Sequence, residues 1–409
     1  MRGFVRANDK YAILRAPCFT GVFVSGVGQN MFLQYQNKAA REDILGKSLQ
    51  SHLVCEDGSG ASSNRLIRGE NAEVLRHLLC DSSVRGRVDL VYIDPPFSTN
   101  TVFRMGKERA NTVSSSRSDS PAYADLLRGT SFLEFLRERL ILIRELMCKT
   151  ASIYLHIDYK VGHYVKIIMD EVFGAHNFRN DITRIKCNPK NFRRRSFGNV
   201  KDLILFYTKS ARYTWNEPRA ALREEDLCRL FKKVDKDGRR YTTVPLHAPG
   251  ETRDGSTGEA WRGIKPPKGR HWRSDPKVLE ELDRCGLVEW SANGVPRKKI
   301  FADEANGKRL QDIWEFKDPQ YPSYPTEKNL DLLKLIVSTS SNEGDLVLDC
   351  FCGSGTTLLA AEQLGRNWIG VDQSEQAIAV ARKRLAAEQA TVFRAKADYD
   401  FLRLAPSDA

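Results

Sequence analysis

A carboxylate, two prolines and an aromatic ring, Asp94-Pro95-Pro96-Phe97, close an apolar run that begins at Val88. The run reads as a buried strand, and in an open α/β sheet ligands bind just beyond the carboxyl ends of strands. Two prolines fix the backbone and remove two N–H donors, so neighbouring carbonyls stay free to accept. That combination suits an exocyclic amine on a heteroaromatic base. Such a nitrogen is a poor nucleophile, because its lone pair is delocalised into the ring. If the Asp94 carboxylate and the Pro95 carbonyl accept its two hydrogens, the nitrogen moves towards tetrahedral geometry and can attack in line. Such a reaction needs no metal and no covalent enzyme intermediate; positioning and electrostatics carry it. Phe97 offers a flat face for an extruded base, since a base inside a duplex cannot be reached in place. A rigid turn at a strand end is the competing reading of these four residues taken alone.

Far downstream, Asp345 to Thr357 reads Asp-Leu-Val-Leu-Asp-Cys-Phe-Cys-Gly-Ser-Gly-Thr-Thr. Val347 and Leu348 suit a buried strand, Gly353 and Gly355 follow as a tight turn, and Thr356 to Gln363 reads as a helix ended by Gly365. A strand, a glycine turn and a helix N-terminus let backbone approach a ligand closely. A second strand, Asn367 to Val371, ends in Asp372, an acid placed to accept from a ribose diol. A phosphate loop would need Lys where Thr356-Thr357 stand, and a dinucleotide loop would need a third glycine where Leu358 stands. A purely structural glycine turn stays open on this segment alone.

Together, and in this order, the two segments resemble the amino-methyltransferases of DNA. Having the catalytic tetrapeptide first resembles the circularly permuted β-class. Relatives acting on protein glutamine or ribosomal RNA bases carry an Asn-Pro-Pro-aromatic tetrapeptide and usually place the cofactor loop first. The resemblance covers about residues 62–390. It implies a class I methyltransferase fold: a seven-stranded, mostly parallel α/β sheet with helices on both faces and an inserted target-recognition region. It implies S-adenosylmethionine as cofactor, held by Asp349, Phe351, Gly353, Gly355 and Asp372, with Glu70 of Arg68-Gly69-Glu70-Asn71 at the adenine. Thr326 and Lys328 of Tyr324-Pro325-Thr326-Glu327-Lys328 fall at the methionine end. Phe197-Gly198-Asn199 and the strand Leu203 to Thr208 match the segment near the target base. Cys350 and Asn329 stand where the family usually has Pro.

The implied activity is methyl transfer to N6 of a flipped adenine in double-stranded DNA, with Asp94, Pro95, Pro96 and Phe97 catalytic. Adenine is preferred because β-class members with Asp first in the tetrapeptide mostly act there, whereas those with Ser mostly modify cytosine N4. Cytosine N4 is the alternative. An RNA or protein methyltransferase, or a nucleic-acid-binding module with a degenerate site, ranks behind both. A cognate restriction endonuclease and a second copy of the chain are the protein partners the family allows.

Bulk properties agree with a polyanionic partner. The 409 residues hold 64 Lys and Arg against 52 Asp and Glu, a net charge of +12. Residues 184–195 include Arg184, Lys186, Lys190, Arg193, Arg194 and Arg195 with no acid. Residues 261–273 include Arg262, Lys265, Lys268, Arg270 and Arg273, flanked by Trp261 and Trp272. Cations beside aromatics suit phosphate contacts and stacking, so Lys190, Arg193, Arg194, Arg195, Arg262, Lys268 and Arg270 are the expected DNA contacts. The nine Cys form no CxxC pair and the seven His no HExxH, so no metal site is expected. The irregular cysteines suit a reducing cytoplasm, by the resemblance a bacterial or archaeal one near the nucleoid. No apolar run approaches the 18 residues of a membrane span.

Residues 1–61 form an extension whose start is expected to be disordered, closed by a flexible linker at 58–63. Residues 62–209 are expected to be the catalytic half and 316–403 the cofactor half. Between them, 210–315 breaks the α/β rhythm and is expected to recognise the target. Residues 404–409 read as a frayed tail. His156 and Asp158, at the end of a strand over 152–157, are expected to be structural. Helices are expected over 71–79, 131–149, 159–173 and 326–340.

Overall fold

In the computed structural model, the segments at 64–68, 88–93, 147–157, 346–349 and 367–372 pair as parallel strands. Parallel pairing brings the residues just after each strand to one edge. The structure describes residues 23–407, apart from 28–29, 97–101, 106–109, 112–119, 125–128, 190–192, 194, 253, 321, 323, 325–326 and 392–398. The strands of the main sheet are β1 (Ser51–Asp57), β2 (Asn64–Arg68), β3 (Val88–Ile93), β4 (Met147–Ile157) and β5 (Phe178–Ile185). They continue as β6 (Lys201–Thr208), β7 (Ile313–Glu315), β8 (Leu346–Asp349), β9 (Asn367–Asp372) and β10 (Tyr399–Pro406). Their spatial order is β7-β5-β6-β4-β3-β8-β9-β2-β10-β1. Within this sheet, among the described residues, the antiparallel pairs are β5–β6, β6–β4 and β10–β1. The fold is the mostly parallel α/β class, with ten strands among the described residues in place of seven.

Two groups of helices flank the sheet: α1 (Asn71–Cys80), α2 (Gly129–Leu146) and α3 (Gly162–Phe173), then α4 (Leu330–Ser340), α5 (Thr356–Gln363) and α6 (Glu375–Thr391). Two of their starts fall three or four residues later than the periodicity places them, and each has a local cause. Asn329 accepts from Asp331 N and Leu332 N, so α4 begins at Leu330 and not at 326. Asp158 accepts from Lys160 N at 2.8 Å, a turn that delays α3 to Gly162. There a Cβ would meet Leu203 Cδ1 at 2.7 Å.

The stretch 58–63 and the last residues also differ from expectation. The buried Asp400 carboxylate accepts from Gly60 N (2.8 Å) and Ser62 N (2.9 Å), which clasps the glycine-serine stretch to β10. β10 runs on to Pro406 because β2 and β1 pair on either side of it. Ahead of them, Lys38 pairs with Glu171 and Arg41 with Glu145, which ties the extension to α3 and α2. No described helix is long and apolar enough to cross a membrane.

Residues 217–310 form a second compact unit. Its four-stranded antiparallel sheet joins Lys233–Val234, Arg240–Pro245, Pro296–Phe301 and Val288–Trp290. Its core gathers Leu246, Trp261, Trp272, Leu279 and Val288.

Candidate active site

The carboxyl edge of the parallel strands carries Asp94 after β3, Asp349 at the end of β8, Asp372 at the end of β9 and Gly69-Glu70 after β2. All five line one cavity of about 340 Å³. Phe351, Gly353, Lys328, Pro95 and Pro96 line it too, so one site collects most of the residues singled out in both halves of the chain. Gly355 starts α5 just behind it, in the left-handed region at φ 76°. Phe97 and Thr326 lie outside the described residues.

The glycine loop is held by its acids. Asp349 accepts from Phe351 N (3.0 Å) and from the Thr357 hydroxyl (2.6 Å), bracing the turn from inside. Burial pushes its carboxyl up to about 7, against those two hydrogen bonds. Asp372 accepts from Gly353 N (2.9 Å) and Ser374 N (2.8 Å), and burial raises its carboxyl as well. Each Asp372 oxygen keeps a lone pair beyond the backbone bond it accepts. Gly353 takes φ 50°, and a Cβ built on it would meet nothing within 4 Å. Its backbone therefore borders open space, the cradle a closely approaching ligand needs. At Gly355 a Cβ would meet Ala381 Cβ at 3.0 Å, so the helix start tolerates little else.

Glu70 caps α1 through Glu73 N (3.0 Å) and pairs with Arg139, while still lining the cavity. Asn71 accepts from Arg139 Nε (2.6 Å) and donates to the Cys350 carbonyl (2.9 Å), which ties β2's end to the loop. An apolar wall comes from Phe351, tilted against Phe135 with centroids 6.1 Å apart. A nucleoside-bearing cofactor fits these features: bare glycine backbone, an acid with spare lone pairs at a strand end, and a flat apolar wall.

Asp94 stands at the other side of the cavity. Its Oδ2 is 2.5 Å from Lys328 Nζ, and its buried Oδ1 has no hydrogen-bond partner among the described residues. Behind it lies a polar cluster that sequence reasoning missed. Tyr92 hydroxyl lies 2.9 Å from His156 Nδ1, His156 Nε2 lies 3.3 Å from Asp202 Oδ2, and Lys186 Nζ donates to Asp202 Oδ1 at 2.6 Å. Burial favours the neutral Asp202 carboxyl, but His156 and Lys186 outweigh it and hold the group well below the usual carboxylate range. The visible signal was His156 at the end of an apolar strand; Tyr92 sits within an apolar run and Asp202 just ahead of another, and neither carries one.

The two basic runs divide. Arg184 is fully buried, donating to the Phe316 carbonyl and pairing with Asp318, and Lys186 belongs to Asp202, so neither is a free surface cation. Arg193 and Arg195 are exposed beside Phe197, which is fully exposed. Lys190 and Arg194 lie outside the described residues. In the second unit the structure corrects the expectation of stacking: Trp261 and Trp272 are 3% and 1% exposed and form the unit's core. Arg262 is claimed by Glu280 and Asp283, whereas Lys268 and Arg270 are exposed.

Comparison with known proteins places this architecture. Residues 88–383 match the N6/N4 DNA methylase family. The type II methyltransferase M.EcaI of Enterobacter cloacae is 40% identical over 371 residues, covering 88% of this chain and 78% of that one. The StyLTI Mod subunit, from a type III restriction-modification enzyme of Salmonella typhimurium, is 26% identical over 375 residues, covering 81% of this chain. The chain spans 54% of that subunit's length. Among solved structures, the M1.HpyAVI complex with S-adenosylmethionine aligns over 78% of this chain and 99% of its own, at 18% identity and a TM-score of 0.42. With nearly three quarters of its length matched and a relative at 40% identity, the chain belongs to the N6/N4 DNA methylase family.

Proposed function

We propose that this chain transfers a methyl group from S-adenosylmethionine to N6 of an adenine swung out of double-stranded DNA. The observation that carries the reading is the buried, open acceptor Asp94 Oδ1 on the same cavity as the glycine loop. The cofactor, when bound, supplies an electrophilic methyl on a sulfonium. Asp372 would receive the ribose hydroxyls, Gly353 and Phe351 the flanking surfaces, and Glu70 the adenine end. Asp349 and Gly355 hold the loop. Thr326 would border the methionine end. Asp94 and the Pro95 carbonyl would accept the two hydrogens of the target amine, Pro96 would keep the turn rigid, and Phe97 would stack on the base. The new bond to nitrogen forms as the old bond to sulfur breaks, and the nitrogen sheds one proton towards Asp94. Orientation of a weak nucleophile supplies most of the rate.

Arg193 and Arg195, with Lys190 and Arg194, would contact phosphates, and Lys268 and Arg270 would do so from the inserted unit. Sequence choice would fall to residues 217–310. Relatives named as Mod subunits of type III restriction-modification enzymes support a cognate endonuclease as a partner in the cell. Asp at the head of the tetrapeptide favours adenine. Purified protein, DNA and labelled cofactor, followed by mass spectrometry of the digested nucleosides, test this: N6-methyladenine is expected. N4-methylcytosine would overturn the choice of base, and methylated RNA with unmodified DNA would overturn the substrate.

A further inference from the structure

The two oxygens of Asp94 are treated differently by their surroundings. Oδ2 takes the Lys328 ammonium at 2.5 Å, and both side chains are largely buried, 10% and 15% exposed. Oδ1 is buried and open. A buried acceptor left unfilled costs free energy, so such a gap in a cavity marks a place where a donor is due to arrive. The ring nitrogen facing it, His156 Nδ1 at 4.0 Å, is not that donor. Ionised Asp202 can only accept, which assigns the His156 proton to Nε2. Nδ1 then carries a lone pair, and the Tyr92 hydroxyl donates to it. Burial holds the imidazole below its ordinary value, against Asp202 and Asp94 and with Lys328, which favours the neutral ring. Imidazole and carboxylate therefore present lone pairs to each other, and Oδ1 stays open.

Lys328 is held where it can act on this pair. It directly precedes Asn329, which caps α4 and donates to the Lys317 carbonyl at 3.1 Å. The start of that helix thus fixes where the ammonium emerges.

We propose that Lys328 is a positioning residue for Asp94, pinning one carboxylate oxygen so that the other is turned, vacant, towards the incoming amine. This places Lys328 on the amine side of the cavity and not at the methionine end of the cofactor. It rests on the amine-transfer reading above. As the amine donates to Oδ1, the ammonium on Oδ2 keeps the carboxylate from rotating away. Nothing new is consumed: the proton released by the nitrogen goes to Asp94 and on to solvent.

Single-turnover methyl transfer at saturating DNA and cofactor, paired with calorimetric cofactor affinity, tests the assignment. Lys328→Gln should slow transfer roughly 100-fold, the scale of a misplaced catalytic group, with cofactor affinity unchanged. Lys328→Arg keeps the charge and should return most of the rate. If the Gln variant does not fold, Lys328→Met, which keeps the apolar stem, takes its place in the comparison. A rate that returns when cofactor is raised would make Lys328 a cofactor ligand and overturn the proposal. A rate as poor with Arg as with Gln would overturn it too. Asp94→Asn separates the two levels. An active Asp94→Asn sinks the amine-transfer reading itself, whereas an inactive Asp94→Asn beside an active Lys328→Gln sinks the Lys328 assignment alone.

Discussion

At the carboxyl edge of the main sheet, acids are buried and incompletely answered: Asp94 has an open oxygen, and burial raises the carboxyls of Asp349 and Asp372. In the unit at 217–310, several cations near the surface are matched by acids. Arg239 takes Asp303 and Glu304, Arg262 takes Glu280 and Asp283, and Lys233 takes Glu289. Exposed pairs contribute little stability each, but they fix the geometry of a unit with a small tryptophan core. Buried acids short of partners cost stability and are kept where chemistry needs them. The difference separates a reacting surface from a scaffold, and it is open to attack from either side.

The largest effect is expected at Asp94. Asp94→Ala should lower single-turnover methyl transfer by about 10²–10³-fold or more, the scale of losing one preorganised partner of the reacting group. Turnover within tenfold of the unmodified protein would place the chemistry elsewhere. Asp372→Ala comes next. Charge-assisted hydrogen bonds are worth about 1.5–3 kcal/mol each, so its KM for cofactor should rise roughly tenfold to a hundredfold, and turnover should return at saturating cofactor. Turnover that stays low at saturation would make Asp372 part of the reacting group.

A double Arg193→Ala/Arg195→Ala change should weaken duplex binding and flatten its log–log salt slope by about 0.9 per lost phosphate contact, leaving cofactor affinity untouched. An unchanged slope would return these residues to ordinary surface.

The raised Asp349 carboxyl predicts a pH effect on stability. A folded-state pKa above the unfolded one means that the folded chain holds the proton more tightly. The stability this adds is present at low pH and declines as pH rises from about 4 to about 7. Thermal midpoints of the native chain and of Asp349→Asn should therefore converge between pH 5.5 and pH 8, the native chain losing its advantage. Midpoints that diverge with pH would show a carboxylate at ease. The smallest effect is expected at Arg262. Arg262→Ala should change duplex affinity by less than about twofold, as its charge is already matched. A flattened salt slope would instead make it a phosphate contact.

How much of this was legible in the sequence follows from periodicity. Strands buried on both faces, such as β3 and β8, announce themselves as apolar runs, and the glycines after β8 mark a turn. The strands β1, β5, β7 and β10 do not, because they mix polar and apolar residues and owe their pairing to neighbours distant in sequence. The clasp of Asp400 on Gly60 and Ser62 is equally silent, since it joins residues 340 and 338 positions apart. At the site, Asp94 and the glycine loop were visible as strand-end signals. The arrangement of Tyr92, His156 and Asp202 was not, because a polar residue inside an apolar run reads as core until its partners are seen. The basic runs misled in part for the converse reason: a list of cations does not show which are buried, as Arg184 is, or already paired, as Arg262 is.

The central claim is a division of labour on one cavity, with Asp94 serving the amine and the glycine-loop side serving the cofactor. Titration of S-adenosylmethionine into Asp94→Ala by calorimetry tests it most directly. The expected result is the affinity of the unmodified chain in a protein that no longer transfers methyl groups; a loss of tenfold or more in affinity would show that Asp94 belongs to the cofactor's own site and contradict the account.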